Sequence, residues 1–292
     1  MRALVTGGTG FIGSKVVEAI RARGHQLRVL VRKSPPPEDV EAVSGDMTDA
    51  DSLRGAVSGC DVVVHLASIR QGKPEEFERV MTGGTRDLVA AARDEGVRRF
   101  VLMSARGTTE ETKDLVPYYG AKWEMEQAVA ASGLEYVVFR PSFVFGTDGG
   151  ILKTFRKLAK LPVTAIPGPG EQRIQPIWVD DVALYFARAV DLPDARNRTF
   201  ELGGPDIVTW NEFWARLKQA LGIRRPTVHM PMWFMRANAI VTERLPGNIP
   251  LTRDLLTMLE GPDNVVSESA APAVFGIAPI PLDEQLRRLA AA

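Results

Sequence analysis

The sequence has few of the features that would stabilise or anchor a chain outside its own folded core. Cys60 is its one cysteine, so no intramolecular disulfide can form. We interpret Cys60, which precedes an apolar run, as a small buried side chain. No stretch approaches the roughly 18 consecutive apolar residues of a membrane span. Met1 is followed almost at once by the apolar Ala3-Leu4-Val5, which leaves no room for a signal peptide, so we expect a cytoplasmic protein.

The chain also lacks an excess of charge of either sign. Its 36 Lys and Arg residues balance 36 Asp and Glu residues, so the formal net charge is zero. No global field attracts nucleic acid or an anionic membrane, and any anion site must be local. We expect a small-molecule partner, no nucleic-acid partner and no metal site. The 45% of apolar residues and 25% of charged residues are those of an ordinary globular protein.

What the first half does contain is an alternation of short β-branched runs with helical patterns. This order predicts βαβ units and a parallel sheet. Unbroken apolar runs such as Val62-Val63-Val64 are typical of strands covered on both faces. Gly24, Gly96 and Gly133 each follow a helical stretch, where a left-handed residue favours glycine. The predicted strands are 2–6, 26–31, 61–66, 99–104 and 135–140, and the predicted helices are 10–23, 49–57, 77–95 and 118–132.

This rhythm breaks after about residue 141, where proline and glycine become frequent. We therefore predict an α/β fold, a doubly wound parallel sheet of Rossmann type with a smaller, irregular C-terminal α+β lobe. The predicted domains are 1–145 for dinucleotide binding and 146–292 for the substrate. Residues from about 177 to 203 are expected to pack back on the main sheet.

A glycine-rich turn follows the first predicted strand and opens the first predicted helix. In it Gly8, Gly10 and Gly13 fit GxGxxG, while Gly7, Gly10 and Gly13 fit GxxGxxG. In a dinucleotide site these glycines make the tight turn, let backbone approach the pyrophosphate and let the helix pack on the strand. The helix N-terminus then offers N–H groups to the phosphates. The candidate cofactor-binding residues here are Gly7, Gly8, Thr9, Gly10, Phe11, Ile12 and Gly13.

The end of the second predicted strand distinguishes NAD from NADP. An NAD site has a carboxylate there for the ribose 2′-hydroxyl, whereas NADP needs cations for the 2′-phosphate. This chain has Arg32 and Lys33 there. The planar guanidinium of arginine suits a phosphate group, and the lysine ammonium adds a positive charge. We therefore favour NADP(H) over NAD(H). The alternative is that both cations are solvated loop residues.

Two further strand ends supply candidates for the adenosine side. Asp46 can accept the adenine amino group, or it can cap a helix starting near Thr48. His65 is interpreted as a packed strand residue, and the backbone after it is expected beside the adenine ribose. The candidates at these two positions are Asp46, Met47, Leu66, Ala67 and Ser68.

A tyrosine and a lysine form the candidate catalytic pair. Tyr118 and Lys122 are four residues apart, so they share one helical face, and Ser104 ends the strand before them. A neighbouring ammonium favours the phenolate and makes the phenol a usable acid or base beside a carbonyl or alcohol. Tyr119 is the competing phenol. The alternative is a partly buried tyrosine beside a solvated lysine.

Together these motifs resemble the extended or atypical branch of the short-chain dehydrogenase/reductase superfamily, over essentially the whole chain. The closest pattern is the group of the NADPH-binding accessory subunit of complex I and its bacterial relatives. The resemblance implies that Pro141 lies in the segment that runs past the nicotinamide. This sequence departs from the family pattern at one position, because the family's catalytic Ser or Thr usually falls slightly later than Ser104. The matching segments are 118–126, 140–146, 175–183, 201–205 and 251–254.

We weigh three functions. The first is an NADP(H)-dependent oxidoreductase that acts on a carbonyl or quinone-like small molecule through the Tyr-Lys pair. The second is a non-catalytic protein that holds NADPH as a structural or sensing ligand, as the complex I resemblance implies. The third is a nucleotide-sugar epimerase or dehydratase. We favour the first.

The second half contributes a segment rich in methionine and aromatics, residues 230–235. Such side chains adapt to irregular apolar ligands, to a membrane or to a partner protein. Core packing between the two lobes is the interpretation that we favour. Arg173, Arg224 and Arg225 can meet a diphosphate or be solvated. The sequence does not indicate an oligomeric state.

Overall fold

A computed structural model describes residues 1–33, 40–243, 252–266 and 269–292. Residue 251 of the matching segment 251–254 lies outside these ranges. The chain forms two compact units. Unit 1 comprises Met1–Pro141, Val179–Leu202 and Ser267–Ala278, and unit 2 comprises Ser142–Trp178, Gly203–Val266 and Pro279–Ala292.

Strands and helices are numbered in chain order within the described residues. The strands are β1 Arg2–Thr6, β2 Gln26–Val31, β3 Glu41–Ser44, β4 Val62–His65, β5 Arg99–Met103, β6 Glu135–Pro141, β7 Val144–Phe145, β8 Thr164–Pro167, β9 Arg173–Ile174, β10 Ile177–Trp178, β11 Arg198–Leu202, β12 Val208–Thr209 and β13 Thr227–Met230. The α-helices are α1 Phe11–Ala22, α2 Ala50–Val57, α3 Pro74–Phe77, α4 Gly84–Asp94, α5 Pro117–Ala130, α6 Gly150–Ala159, α7 Val179–Ala189, α8 Trp210–Ala220, α9 Met232–Thr242, α10 Arg253–Glu260, α11 Ala271–Phe275 and α12 Leu282–Ala291.

Unit 1 is built on a parallel sheet of seven strands among the described residues, in the order β3-β2-β1-β4-β5-β6-β11. All of its pairings are parallel, and Thr6 of β1 lies in register with His65 of β4, which is in register with Leu102 of β5. The carboxyl ends of these strands therefore meet at one edge of the sheet. This arrangement confirms the predicted Rossmann-type α/β fold.

Buried apolar side chains hold the helices of unit 1 on its sheet. Leu4, Val63 and Phe100 from three strands share a buried cluster with Leu53 of α2 and Leu88 of α4. The central strands contain unbroken buried apolar runs, such as Val62-Val63-Val64 in β4, because helices cover both faces. The three glycines expected after helices are left-handed, at φ 80° for Gly24, 70° for Gly96 and 79° for Gly133.

The predicted helix 77–95 is wrong in its start and its regularity. The helical stretch begins at Pro74, and a π-helical segment, Glu78–Gly83, separates α3 from α4. At Gly84 the backbone runs so close to Met47 that an added Cβ would overlap the Met47 carbonyl oxygen. The spacing of apolar residues carries no information about a close backbone contact of this kind, so the sequence did not predict it.

Unit 2 combines short strand pairs with helices. β7 pairs with β10 and β8 with β13 in parallel, while β9 and β12 are antiparallel. Its core is aromatic, with Phe145, Trp210, Phe213 and Trp214 buried together. The β8/β13 pair leads directly into α9, which has one fully buried residue among its described side chains, Ala239.

Candidate functional site

The glycine turn between β1 and α1 has the shape that a pyrophosphate requires. Gly7 is left-handed at φ 73°, and a Cβ there would lie 2.7 Å from the Ala67 nitrogen. A Cβ at Gly13 would overlap the Gly7 carbonyl oxygen, so the turn and the start of the helix are in direct contact. Gly10 differs from these two, because its Cβ would meet only the Gly7 carbonyl oxygen at 3.2 Å. It therefore presents open backbone on the outer side of the turn.

The start of α1 is free to bind an anion. Gly10 is the residue that precedes the helix, and in this fully described turn no side chain caps the helix and no acidic residue stands in its first turn. The first N–H groups of a helix point outwards at the positive end of its dipole. These N–H groups, together with the glycine surface beside them, fit the pyrophosphate of a dinucleotide. Thr9 is exposed, while Phe11 and Ile12 are half-buried beside it.

Arg32 and Lys33 follow β2 and are both exposed. The Arg32 Nη1 lies 3.6 Å from the Asp46 Oδ2, so a carboxylate accompanies the guanidinium at this strand end. Asp46 also accepts hydrogen bonds from the Thr48 backbone N–H and hydroxyl, each at 2.9 Å. These bonds and the Arg32 charge hold the pKa of Asp46 below its usual value.

The capping role considered for Asp46 is wrong. α2 begins at Ala50, and Asp49 caps it by accepting from the backbone N–H groups of Asp51 and Ser52. Asp46 instead closes a short turn onto Thr48. Its carboxylate is therefore left at the strand end beside Arg32. Met47 next to it is buried.

The end of β4 lies against the glycine turn. Leu66 is buried, and Ala67 and Ser68 are half-buried. His65 is buried, as its strand position predicted, with Nδ1 at 2.6 Å from Thr6 Oγ1 and Nε2 at 3.0 Å from Thr85 Oγ1. Burial, together with the Lys122 charge, lowers the pKa of His65 to about 3, so the ring is neutral at physiological pH.

Lys122 is a buried lysine on α5. Its Nζ donates a 2.7 Å hydrogen bond to the Met103 carbonyl oxygen at the end of β5, and it lies 5.8 Å from the centre of the Tyr118 ring. Burial lowers the pKa of Lys122 to about 7, although the Glu126 charge acts in the opposite direction. The sequence alternative of a solvated lysine is therefore wrong. The ammonium is held at the sheet edge by the backbone of β5.

Tyr118 is half-buried on the same face of α5. Burial raises its pKa to about 12, and Tyr119 adds to this rise, while Arg70 and a hydrogen bond from Ser68 oppose it. The phenol is therefore protonated across the physiological range.

Ser104 and Pro141 complete the candidates at this edge. The Ser104 N–H donates to the Phe139 carbonyl oxygen at 2.7 Å, while its buried Oγ has no hydrogen-bond partner among the described residues. Pro141 is buried at the end of β6, and its carbonyl oxygen accepts from the Arg106 N–H at 2.8 Å. The strand ends thus bring the candidates into one region of unit 1. They do not join Ser104 Oγ to Tyr118 or Lys122 by a hydrogen bond.

An ion pair behind Lys122 was missed by the sequence analysis. Glu126 is buried one turn after Lys122 on α5 and accepts two hydrogen bonds from Arg140 of β6, at 2.9 and 2.6 Å. The negative charge near the buried ammonium is therefore itself paired with a cation. The i,i+4 spacing of Lys122 and Glu126 was the available signal.

Unit 2 holds the segment that was expected in the core. Trp233 is 72% exposed and Phe234 40% exposed, so the core-packing interpretation is wrong for both. Arg173 forms an ion pair with Asp263 at 2.7 Å. No group of His, Cys, Asp or Glu in the described part of the chain could hold a metal ion. None of the described helices has the length and apolarity needed to cross a bilayer.

Comparison with known sequences identifies the family. The sequence model of the NAD(P)H-binding family matches residues 7–190. A ceramide reductase of Caulobacter vibrioides is 30% identical over 242 residues, which cover 78% of this chain and 73% of that protein. A 2-alkyl-3-oxoalkanoate reductase of Stenotrophomonas maltophilia is 28% identical over 100% of this chain and 99% of its own.

A further relative agrees with the complex I resemblance. Subunit 9 of the NADH dehydrogenase [ubiquinone] 1 alpha subcomplex of Arabidopsis thaliana is 28% identical over 72% of this chain and 55% of its own length. Among solved structures, a nucleoside-diphosphate-sugar epimerase of Staphylococcus aureus superposes with a TM-score of 0.79 at 23% identity, covering 98% of this chain and 100% of that one. These structural likenesses show the fold. The chain belongs to the NAD(P)H-binding family of extended short-chain dehydrogenases/reductases, a family of NAD(P)-binding Rossmann oxidoreductases.

Proposed function

We propose that this protein is an NADP(H)-dependent reductase of a carbonyl group, in which Tyr118 donates the proton. The observation that carries the proposal is the buried Lys122 ammonium, which the end of β5 holds beside the Tyr118 ring at the same sheet edge as the glycine turn. Burying a cation costs free energy unless a partner compensates the charge. Buried groups with strongly shifted pKa values also cluster at functional sites. Here its partner is a backbone carbonyl oxygen, and its neighbour is a protonated phenol.

The positions of the strand ends support an assignment of the residues that would hold the cofactor. The N–H groups at the start of α1 would bind the pyrophosphate, and Leu66, Ala67 and Ser68 would line the ribose. Lys122 would hold the nicotinamide ribose, and Pro141 would lie along the nicotinamide ring. NADPH, when bound, would supply the hydride. Asp46 would accept a hydrogen bond from the adenine amino group.

The proton comes from the phenol. Because the pKa of Tyr118 is about 12, its Oη carries a proton at neutral pH and can donate it to the oxygen of a carbonyl that is being reduced. A charged Lys122 nearby stabilises the phenolate that remains. The Ser104 Oγ, buried without a hydrogen-bond partner among the described residues, donates to the substrate oxygen and orients it. These roles favour reduction over oxidation at neutral pH.

Tyr119 is the less suitable phenol. It is buried on α5, and an added Cβ at Gly107 would lie 2.8 Å from its Oη, so the hydroxyl faces the loop after β5. Burial raises its pKa as well, with the Arg106 charge opposing that rise. Tyr119 therefore serves as a matched control for Tyr118, adjacent in sequence and equal in chemistry.

The substrate class that we propose is a carbonyl compound with an alkyl chain. Two relatives are named for ceramide and for 2-alkyl-3-oxoalkanoate. The formal net charge of zero also leaves no global attraction for a strongly anionic substrate. A nucleotide sugar is less consistent with the Arg173 side chain, which already pairs with Asp263.

The test is NADPH oxidation by 3-oxo compounds of increasing alkyl-chain length, compared in wild type, Tyr118→Phe and Tyr119→Phe. We expect Tyr118→Phe to lower kcat/KM by about 10²-fold or more while NADPH still binds, because only the proton donor is lost. Tyr119→Phe should retain most of the activity. If wild-type protein binds NADPH tightly but oxidises it with none of the carbonyl compounds, the non-catalytic function is correct instead.

A further inference from the structure

An exposed apolar surface lies on unit 2. Trp233 is 72% and Val241 63% exposed on α9, whereas Ala239 between them is 1% exposed. At about 100° per residue, the exposed apolar residues of this helix fall within an arc of about 120°. The arc carries no charge, and its members are Trp233, Phe234, Ala237, Ile240 and Val241. An apolar side of α9 therefore faces solvent, although the inward side, with Met232, Met235 and Ala239, is apolar as well.

The strand pair that leads into α9 also has an exposed apolar face. In β8 the side chains alternate, with Thr164 and Ile166 buried and Ala165 exposed. Ala165 lies in register with Val228 of β13, which is also exposed. Val163 just before β8 is exposed too. The exposed face of this pair is therefore apolar up to the turn where α9 begins.

Cations collect at the opposite end of the same strand pair. The Thr164 N–H donates to the Pro226 carbonyl oxygen at 3.0 Å, which places the residues before the two strands side by side. The basic residues there are exposed, and the ion pairs of the described residues include none of them. They are Lys157, Lys160, Arg224 and Arg225.

No carboxylate balances this charge within the surface. The segments 160–167, 224–231 and 232–242 contain no Asp and no Glu. A second copy of the chain would bring the same uncompensated cations to the contact, and like charges repel. A strand pair with exposed Trp and Phe following one end and Lys and Arg at the other is instead a combination that favours an anionic lipid surface, where rings enter the interface and cations meet phosphate groups.

We propose that α9 and the β8/β13 strand pair form a docking surface for an anionic lipid bilayer. The eleven residues of α9 are too few to cross a bilayer, so the helix lies in the interface plane with its apolar arc towards the acyl chains. The basic cluster contacts the headgroups. The proposal is independent of the reaction, since none of these residues lies in the site of unit 1.

Vesicle flotation of the full chain tests this docking. We compare vesicles of phosphatidylcholine with vesicles containing a quarter of phosphatidylglycerol, without cofactor or substrate. Trp233→Ser/Val241→Ser should lower binding to both by about tenfold or more, because it removes apolar burial. The triple variant Lys160→Gln/Arg224→Gln/Arg225→Gln should lower binding to the anionic vesicles but not to the phosphatidylcholine vesicles. Binding to the anionic vesicles should then no longer depend on salt concentration.

Matched controls lie on unit 1. Leu184→Ser removes a side chain that is also exposed, and Arg54→Gln/Arg93→Gln removes exposed cations of α2 and α4. Both variants should bind like wild type. The proposal is overturned if wild type does not float with anionic vesicles, or if the controls lose as much binding as the surface variants. It is also overturned if light scattering shows a dimer that Trp233→Ser/Val241→Ser dissociates, because the surface then joins two copies.

Discussion

At the scale of the single residue, the candidate site depends on burial more than on contact between charges. Lys122 keeps its ammonium inside the protein with one backbone hydrogen bond, and Tyr118 keeps its proton because partial burial disfavours the charged phenolate. The ion pair of Glu126 with Arg140 then weakens the effect of the Glu126 charge on the Lys122 ammonium. Each of these features predicts a dependence on pH or on a single side chain.

The pKa of Lys122, about 7, predicts the pH profile of reduction. We expect kcat/KM to be constant below about pH 7 and to fall above it, as the ammonium that stabilises the phenolate loses its proton. Lys122→Arg stays charged, so its profile should lack this fall between pH 7 and 9. Glu126→Gln should move the fall to lower pH, because the Glu126 charge raises the pKa of Lys122. An unchanged inflection in Lys122→Arg would assign the profile to another group.

The proposed contact of Arg32 with the 2′-phosphate predicts a preference for NADPH over NADH. Arg32→Ala should weaken NADPH binding by about tenfold or more, since a charged hydrogen bond to the 2′-phosphate is lost, and should leave NADH binding nearly unchanged. Asp46→Asn removes the carboxylate 3.6 Å from the guanidinium and should increase the preference for NADPH. Nicotinamide fluorescence titrations with both cofactors measure this. Equal losses for NADPH and NADH in Arg32→Ala would contradict the 2′-phosphate role.

The roles of single residues were predictable where the local backbone requires one residue type. They were less predictable where they depend on a contact between segments that are distant in sequence. Gly7 and Gly13 follow from the motif because a side chain at either would meet neighbouring backbone. The Asp46 carboxylate beside Arg32 was not foreseen, because it comes from a different strand end. The exposure of Trp233 was missed because a run of methionine and aromatic residues is usually buried. A local pattern does not say which side of a helix meets solvent.

At the scale of the element, the glycine turn separates the requirements of folding from those of binding. A Cβ at Gly13 would overlap backbone, whereas one at Gly10 would touch a single carbonyl oxygen at 3.2 Å. The first substitution therefore disturbs the packing of α1 on β1. The second adds a methyl group to the open side of the turn, where the pyrophosphate is expected.

Gly10→Ala should leave the melting temperature within a few degrees of wild type and lower NADPH affinity by about tenfold or more, because the methyl group holds the pyrophosphate away from the N–H groups. Gly13→Ala should destabilise the fold itself. Gly55→Ala on α2, where a Cβ would meet nothing within 4 Å, is the neutral control. Thermal unfolding without ligand and titration with NADPH separate the two effects. A Gly10→Ala protein with wild-type affinity would place the pyrophosphate elsewhere.

Element positions were the most predictable part of the fold. β1 and β2 begin and end at the residues expected from their apolar runs, and the seven strands join in the expected Rossmann manner. The stretch before α4 was less predictable, because its π-helical turn accommodates the approach of Gly84 to Met47. Strand periodicity follows from local burial, whereas this turn follows from contact with a segment far away in sequence.

At the scale of the whole molecule, the balance of charge hides strong local differences. The formal net charge is zero, yet unit 2 collects unbalanced cations before β8 and β13, and unit 1 buries a lysine, a histidine and an ion pair. Buried titratable groups make the stability of the fold depend on pH, because the unfolded chain exchanges protons freely with water. Below neutral pH, His65 is a buried group through which acid should act.

The pKa of His65 is about 3 in the folded protein and near 6.5 in the unfolded chain. Above pH 6.5 the ring is neutral in both states, so the stability of the fold does not depend on the titration of His65 there. As the pH falls below 6.5, the unfolded chain takes up a proton that the folded protein excludes, and the free energy of unfolding falls by up to about 1.4 kcal/mol per pH unit. His65→Gln removes this titration, so its free energy of unfolding should change less between pH 6.5 and 5. Denaturant unfolding of both proteins at these two pH values gives the difference. His25, whose pKa is also lowered by burial, is present in both proteins and cancels in the comparison. An equal acid sensitivity of the two proteins would show that His65 takes up its proton without unfolding the chain.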